Sequence, residues 1–574
     1  SMLAAVRPEL FGPLMVVGAP LSYWAGSARL NPMRYSGATL GGAWLAALAA
    51  DLAGDRFDGA HLVHNFENLN PANTWWSKYF RLWCEVDDEA ERFLAFERWW
   101  GGFFRMTGAE IESIVENLFV GNRLARGAVK AGDDVVDLRH ITAPVVVFAS
   151  WGDNITPPPQ ALNWIIDTWG SERAIAAAGR VIVYVLHETV GHLGIFVGAD
   201  IARKEHDQIV NSLDVIENLP PGLYEMKVER KDGAVSQRWD ELEPGSYSVH
   251  FEHRTMDDLR ALNPEGRDEE RLFSTVARLS EINTAAYKTW VRPWLRALPL
   301  RPVGDALTNL HPVAAAIAAC AERVRDNRHR VHADHPARRV EHAVSAAIEG
   351  ALNLHRDLRD QAVVQWTRLA YGPLGLGAWL PPEPPDEHDA VARARAAVAA
   401  ERRAVLERIG EGGFERAIAR IVLAGMVSTG RFERRSFRLA GLLARLQASD
   451  VVRVAAPVDW RRLLREEARI AAVAPVEALN ALAGLLPDRA SREQALAVAA
   501  AVMMLDPPLD GARSEIIELL VGTLGVDPER VMALAGRLTS PIEHAPAERT
   551  PRPRAPRTAR TRASRPAARP ARAA

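Results

Sequence analysis

The stretch HETVGHLGIF, residues 187–196, places two histidines and a glutamate close together. On a helix, His-Glu-x-x-His puts both histidines on one face to bind zinc, with the glutamate as general base. Here His187 and His192 are five residues apart instead of four. Five residues around a 3.6-residue turn rotate the second side chain well past the first. The spacing therefore argues against a zinc site and leaves a histidine for other chemistry.

The residues before this stretch predict where His192 lies. Residues 181–186, VIVYVL, form a continuous apolar, β-branched run after a Gly-Arg pair, which is typical of a buried parallel strand. We therefore expect His192 in the loop beyond the carboxyl end of that strand, not inside a helix. Loops at this edge of open α/β sheets are where ligands and catalytic groups gather. His187 directly abuts the strand, so we interpret it as a structural or supporting residue.

An aspartate follows the preceding strand of the predicted sheet. PVVVFA, residues 144–149, reads as a strand and is followed by SWGDNITPPPQ, which contains Asp153. An acid before a histidine, with the nucleophile upstream of both, is the chain order of the α/β-hydrolase triad. The carboxylate would fix one tautomer of the imidazole, and the imidazole would move a proton from and to the reacting groups. Singly, the aspartate would more often be a turn or cap and His192 a satisfied surface or core group. Together, Asp153 and His192 are our predicted catalytic residues.

No nucleophile accompanies this pair in the sequence. A Gly-x-Ser-x-Gly or Gly-x-Cys-x-Gly elbow is absent. Cys84 and Cys320 have the sequence surroundings of helix positions, and Ser22 follows a strand that carries no nucleophile in the hydrolase order. The opening MLAAVRPELFGPLMVVGAP has the form of the segment after such an elbow. We therefore expect the chain to start shortly after its nucleophile and to be inactive as given.

Strands that alternate with helices organise the N-terminal region. PLMVVG, residues 13–18, is a third strand, and QALNWIIDTW, residues 160–169, is a helix between strands. This alternation predicts a parallel α/β sheet. The interval from about 20 to 138 is too long for a simple crossover, so we predict an inserted helical cap within a partial hydrolase domain, residues 1–220. The many tryptophans of the cap either line an acyl pocket or belong to its core.

Three further regions follow. Alternating residues around Asp232-Gly233 predict a β-hairpin, which opens a helical extension spanning 221–378. After the linker LPPEPPDEH, a second helical region covers 389–540. Residues 541–574 are rich in arginine and proline and should be disordered. This tail either contacts anionic polymers, nucleic acid or lipids, or is simply a solvated end.

Composition narrows the class of protein. The chain has 574 residues, 48% of them hydrophobic and 25% charged, which is typical of a soluble globular protein with two to four domains. Its net charge of −2 includes nine tail arginines from Arg549 onwards, so the rest is acidic and gives no sign of a nucleic-acid groove. Two cysteines argue against a disulfide framework and fit a reducing, cytoplasmic location. No apolar run suits a stable membrane span.

Two segments resemble poly(3-hydroxyalkanoate) synthases. VENLFVGNRLARGAVKAGDDVVDLRHITAPVVVFASWGDNITPPPQAL is similar to their segment that carries the catalytic aspartate, and GHLGIFVG is similar to their Gly-His segment. Through NPMRYSGATLGG, FENLNPANTWWSKYF and FERWWGGFF, the chain also resembles an uncharacterised bacterial family labelled poly(3-hydroxyalkanoate) synthetase-like.

The resemblance implies an α/β-hydrolase fold, a cysteine nucleophile in an elbow before residue 1 and a hydroxyacyl ester or thioester substrate. We predict no cofactor and no metal. It gives Asp153 the aspartate role and His192 the histidine role, in an acyltransferase or a hydrolase. The missing elbow puts activity of this chain in doubt. The alternative is a non-enzymatic stress-response or scaffold protein that acts through its helical C-terminal half, with partners that the sequence does not name.

The second helical region has its own resemblance. ALAVAAAVMMLDPPLDGARSEIIELLVGTLGV is similar to the helix, acidic loop and helix unit of tellurite-resistance B-like domains. In the frame of an EF-hand, Asp506 and Asp510 stand at ligand positions. Pro508 and Ile517 occupy other ligand positions, which argues against calcium. We therefore predict a helical interaction domain without a metal.

Overall fold

A computed structural model describes residues 2–197, 205–230, 247–297, 335–383, 387–428, 430–434, 460–504 and 511–543. The strands are numbered in chain order. They are β1 (Leu14–Val17), β2 (Arg56–Asp58), β3 (Arg105–Thr107), β4 (Lys130–Ala131), β5 (Asp134–Val135), β6 (Val145–Ser150), β7 (Val181–His187), β8 (Gly222–Arg230), β9 (Tyr247–His253) and β10 (Arg431–Glu433).

Six of these strands form one mixed sheet in the order β1-β6-β7-β8-β9-β10. The first four strands run parallel, and β9 and β10 continue the sheet in antiparallel fashion. The predicted parallel α/β sheet is therefore confirmed, and its three predicted strands lie within one residue of their expected limits. β8 and β9 pair as a hairpin would, with Arg230 opposite Tyr247. The turn predicted at Asp232-Gly233 lies outside the described residues.

The helices are also numbered in chain order. Up to β6 they are α1 (Met2–Val6), α2 (Ser36–Thr39), α3 (Trp44–Leu52), α4 (Ala60–Glu67), α5 (Lys78–Cys84), α6 (Val86–Trp100) and α7 (Gly108–Ile114). From β6 to the linker they are α8 (Pro158–Trp169), α9 (Glu172–Ala177), α10 (His192–Val197), α11 (Asp207–Val210), α12 (Leu213–Ile216), α13 (Met256–Ala261), α14 (Asp268–Ala286), α15 (Arg292–Ala297) and α16 (Pro336–Tyr371).

The C-terminal region is helical as predicted, apart from β10. Its helices are α17 (Glu387–Arg408), α18 (Phe414–Ser428), α19 (Trp460–Val473), α20 (Pro475–Asn480), α21 (Leu482–Leu485), α22 (Arg489–Met504), α23 (Gly511–Leu524) and α24 (Pro528–Glu543). Short 3₁₀ helices lie at Pro8–Leu10, Pro32–Tyr35, Leu138–His140 and Leu376–Ala378, and π-helical turns at Asn73–Ser77, Val115–Phe119 and Tyr287–Val291.

The sheet is buried on both faces, which explains its continuous apolar strands. Along β6, Val145 and Val147 pack into the core on one face, whereas Val146 and Phe148 pack into the core on the other. Side chains of a strand alternate between the two faces, so a strand buried on both faces is mostly apolar along its whole length. Each fully buried side chain of this size contributes roughly 1.5–3 kcal/mol. The sheet is thus a rigid base for the loops at its carboxyl edge.

Helix α17, which follows the predicted linker, packs against helices α8 and α9. Its Ala394 belongs to the same buried cluster as Val147 of β6. Helices α18, α22 and α23 form a separate buried cluster. Helix α24 continues to Glu543, so residues 541–543 are helical rather than part of a disordered tail. The limits of the predicted domains stay predictions.

Several predicted features lie outside the described residues: Cys320, the acidic loop at 506–510 and the arginine-rich tail from Arg549. Among the helices that the structure does describe, none has both the length and the apolar character to cross a bilayer.

Candidate active site

The loop after β6, residues 151–157, is called the acid loop here. Asp153 lies in it, and its side chain is fully buried. Carboxylate Oδ1 accepts hydrogen bonds from the backbone N–H groups of Ile155 and Thr156, both at 2.8 Å. Aspartate often closes turns in this way. Asp153 therefore has the turn-closing role that is commoner for such an aspartate, but this role occupies only one carboxylate oxygen.

The second oxygen of Asp153 meets His192. The distance from Asp153 Oδ2 to His192 Nδ1 is 2.8 Å, although 39 residues separate the two along the chain. The His192 side chain retains 21% exposure, compared with 0% for Asp153. The two residues singled out from the sequence are thus direct partners, one enclosed and one accessible.

The structure corrects the predicted setting of His192. It is the first residue of α10 and not a loop residue. Ile195, three positions later, is fully buried against the sheet beside Val146 and Phe148. Tertiary packing of an apolar face stabilises such short helices, and the short run HLGIFV carries no strong helical signal by itself. The strand does end at His187, so the predicted position beyond its carboxyl end holds.

Strand register brings the acid loop beside residues 188–192, called the histidine turn here. Ser150 at the end of β6 lies opposite His187 at the end of β7. Beyond them, Ser150 Oγ donates to the carbonyl oxygen of Val190 at 2.6 Å. A Cβ atom on Gly152 would lie 2.1 Å from the carbonyl oxygen of Thr189. Only glycine allows this approach of the two backbones.

His187 has the structural role expected for it. Its Nδ1 accepts hydrogen bonds from the backbone N–H groups of Thr189 at 3.2 Å and Val190 at 3.1 Å. These contacts close the histidine turn locally. Within the described residues, no group of three or more histidine, cysteine, aspartate or glutamate side chains is arranged to hold a metal ion.

A third parallel strand reaches the imidazole. Gly18 follows β1 with φ +55°, and a Cβ atom there would lie 3.2 Å from His192 Cε1. The Phe196 ring stands edge-on to the imidazole at a centroid distance of 5.8 Å. Sequence reasoning missed Gly18 as part of the site. The glycine directly after VV in PLMVVG was the available signal.

The hydrogen bonds indicate which imidazole nitrogen is free. An aspartate carboxylate that accepts two backbone N–H groups is an acceptor, so Nδ1 of His192 is the donor toward it. In the neutral ring Nε2 then has a lone pair and can take a proton. Among the described residues no side chain forms a hydrogen bond with Nε2. Cys84 lies on α5 in an intermediate environment, and Ser22 is fully buried with its Oγ unbonded.

Comparison with known proteins gives this chain a family. The model of a family described as "Protein of unknown function (DUF3141)" matches residues 1–411. The chain belongs to this family. The matched residues include Asp153, His192 and the strands that carry them.

The chain is also similar to individual proteins. The chain is 39% identical over 563 residues to the "Uncharacterized protein in ackA 5'region" of Rhizobium meliloti, with 93% of this chain and 75% of that protein covered. It is 26% identical over 240 residues to the poly(3-hydroxyalkanoate) polymerase subunit PhaC of Synechocystis sp., covering 40% of this chain and 54% of that protein. For PhaC of Thiocystis violacea the values are 25% over 211 residues, 36% and 53%.

The chain therefore spans about half the length of these polymerase subunits. No solved structure matches it. The similarity to the polymerase subunits supports the resemblance to poly(3-hydroxyalkanoate) synthases drawn from the sequence. Neither the family nor these relatives support the resemblance of residues 389–540 to tellurite-resistance B-like domains.

Proposed function

We propose that this chain carries the acid and base of an acyl-transfer site of the α/β-hydrolase type, which acts on hydroxyacyl esters or thioesters. The observation that carries the proposal is the 2.8 Å contact between Asp153 and His192 at the ends of adjacent parallel strands. Similarity to poly(3-hydroxyalkanoate) polymerase subunits supports the class of substrate.

Each side chain has a defined task in this chemistry. Nε2 of His192 takes the proton of a hydroxyl or thiol as its oxygen or sulfur forms a bond to the acyl carbon. The bond from the acyl carbon to the leaving oxygen or sulfur then breaks, and Nε2 returns the proton to that leaving atom. Asp153 keeps the proton on Nδ1 and stabilises the imidazolium without becoming protonated itself. Proton transfer of this kind contributes roughly 10²–10⁴-fold to the rate.

The proposal requires a nucleophile next to Nε2. Because no hydroxyl or thiol among the described residues bonds to this nitrogen, the nucleophile has to be supplied by another segment or by a bound molecule. The experiment therefore uses both the 574-residue chain by itself and the protein as isolated from its own cells.

The test is turnover of a 3-hydroxyacyl thioester and of its ester by both forms. In a form that is active, His192→Ala should abolish turnover. A matched control is His64→Ala, since His64 is an exposed histidine on α4, away from the acid loop. Turnover that survives His192→Ala, or its absence from both forms, would refute the proposed function.

A further inference from the structure

The direction of the Asp153 carboxylate depends on the backbone of the acid loop, because Oδ1 binds the N–H of Ile155. The carbonyl group of the same residue is also held. Asn31 Nδ2 donates a hydrogen bond to the Ile155 carbonyl oxygen at 2.7 Å, across 124 residues of sequence. Asn31 thus binds the carbonyl group of Ile155, the residue whose N–H orients the Asp153 carboxylate.

Asn31 is set in place by a second contact. Its side chain is fully buried, and Nδ2 also donates to Gln160 Oε1 at 2.8 Å. Both hydrogens of this amide are therefore used. A backbone carbonyl can only accept, so the amide orientation of Asn31 follows from its contact with Ile155.

Gln160 connects this contact to the segment after β1. It is also fully buried, and its Nε2 donates to the carbonyl oxygen of Tyr23 at 2.6 Å. The backbone N–H of Ser22 in turn donates to the Gln160 carbonyl oxygen at 2.9 Å. The segment between β1 and α2 and the start of α8 are therefore joined to the acid loop through Asn31 and Gln160.

We propose that Asn31, supported by Gln160, is a positioning residue for Asp153. It does not touch the reacting atoms. It fixes Ile155, whose N–H fixes Oδ1, and so leaves Oδ2 aimed at Nδ1 of His192. This inference rests on the proposed function, since the aim of the carboxylate matters for catalysis only if the Asp153–His192 pair is catalytic.

A purely structural role for Asn31 would also make its loss destabilising, because the partly buried carbonyl of Ile155 would lose its donor. Stability alone therefore does not distinguish the two roles. The readout has to report on His192 itself. Nitrogen-15 NMR of labelled histidine shows which imidazole nitrogen carries the proton and how fast that proton exchanges with water.

Asn31→Asp is the sharpest variant, because it keeps the shape of the side chain and removes both donated hydrogen bonds. Asn122→Asp is the matched control. Asn122 is another buried asparagine that binds the same segment, through Oδ1, which accepts from the N–H of Tyr23 at 2.8 Å. Its Nδ2 has no partner within the described residues, so the change retains its hydrogen bond.

The experiment uses the full chain, with His192→Gln to assign the resonance and Asp153→Asn as the reference for a broken pair. We expect wild type and Asn122→Asp to carry a slowly exchanging proton on Nδ1 of His192. Asn31→Asp should lose this signal in the way that Asp153→Asn does. If Asn31→Asp fails to fold by thermal melting, Asn31→Leu, with similar volume and no added charge, takes its place.

The outcomes distinguish the proposed function from the positioning role of Asn31. If Asp153→Asn leaves the His192 signal unchanged, the pair itself is absent and the proposed function fails. If Asp153→Asn removes the signal while folded Asn31→Asp or Asn31→Leu keeps it, only the positioning role of Asn31 is overturned. In an active form, the folded Asn31 variant should also lower kcat on the order of 10²-fold with little change in KM.

Discussion

The acid loop and the histidine turn lie side by side at the carboxyl edge of the sheet, yet they are held by different parts of the chain. The acid loop depends on distant residues: Asn31 binds Ile155 across 124 positions. The histidine turn is closed locally, by the backbone amides of Thr189 and Val190 on His187. The acid loop is therefore held by a residue far away in the chain, whereas the turn that leads to the base is held by the adjacent His187 and by Ser150 at the end of the neighbouring strand.

The side chains of Asp153 and His192 also differ in their exposure and in how many of their polar atoms are bound. Asp153 has no exposed side-chain surface and uses both carboxylate oxygens, whereas His192 is held through Nδ1 and remains partly exposed. A site of this kind needs a fixed acid and an accessible base, because only the base exchanges protons with the reacting groups. We therefore expect changes at the acid loop to act through imidazole orientation.

The largest effect is expected for Asp153→Asn. The asparagine oxygen can keep the two backbone N–H groups, so its NH₂ group would face Nδ1 of His192 and force the proton onto Nε2. A base in the wrong tautomer costs on the order of 10⁴-fold in kcat. Steady-state kinetics on the thioester, in an active form, measures the loss. Asp134→Asn at an exposed position of β5 is the control, and a kcat for Asp153→Asn close to wild type would contradict the assignment.

A second prediction concerns the contact between the two loops. Gly152→Ala would place Cβ 2.1 Å from the carbonyl oxygen of Thr189, so the loops have to move apart. Overpacking of this kind costs roughly 1–3 kcal/mol in the free energy of unfolding. Urea unfolding measures it. In Gly350→Ala a Cβ atom has no neighbour within 4 Å, and this helix position should gain roughly 0.5–1 kcal/mol. Equal stability of the two variants would show that the loops are not in close contact.

The difference between local and distant contacts also explains how much of the site can be predicted from the sequence. Strand β6, strand β7, Asp153 and His192 could be located because apolar runs and the residues that follow them are local signals. The contact of Asn31 with Ile155 could not, since nothing in either segment indicates a partner over a hundred residues away. The helix that begins at His192 was missed for a related reason: it forms because Ile195 packs on the sheet.

A smaller effect, on the pH dependence of stability, is expected at a second buried aspartate, Asp167 on α8. Asp167 Oδ1 binds Arg267 at 2.7 Å, but this cation is shared with Glu270, also at 2.7 Å. Burial, together with the nearby charge of Glu270, raises the pKa of Asp167 to about 7 from its ordinary 3.8, despite Arg267. Asp167 is therefore a carboxyl group whose protonation should change the stability of the protein.

The raised pKa of Asp167 determines how stability changes with pH. Between pH 4 and 7 the folded protein binds a proton at Asp167 that the unfolded chain does not, so stability is greatest below the unfolded pKa and falls as the pH rises through the folded one. The slope is at most about 1.4 kcal/mol per pH unit. Asp167→Asn should remove it, as measured by urea unfolding across this range.

Asp137 serves as a comparison in the urea unfolding, because its pKa is lowered in the folded protein instead of raised. Although burial acts to raise its pKa, hydrogen bonds from the side chain and backbone of Arg139 lower it overall. Its contribution to stability is therefore present above the unfolded pKa and is lost as the pH falls, so Asp137→Asn should change the profile only at acid pH.

If Asp167→Asn and wild type have parallel profiles from pH 4 to 7, Asp167 is ionised throughout. The pKa of Asp167 would then not be raised, and Arg267 would outweigh burial and the charge of Glu270.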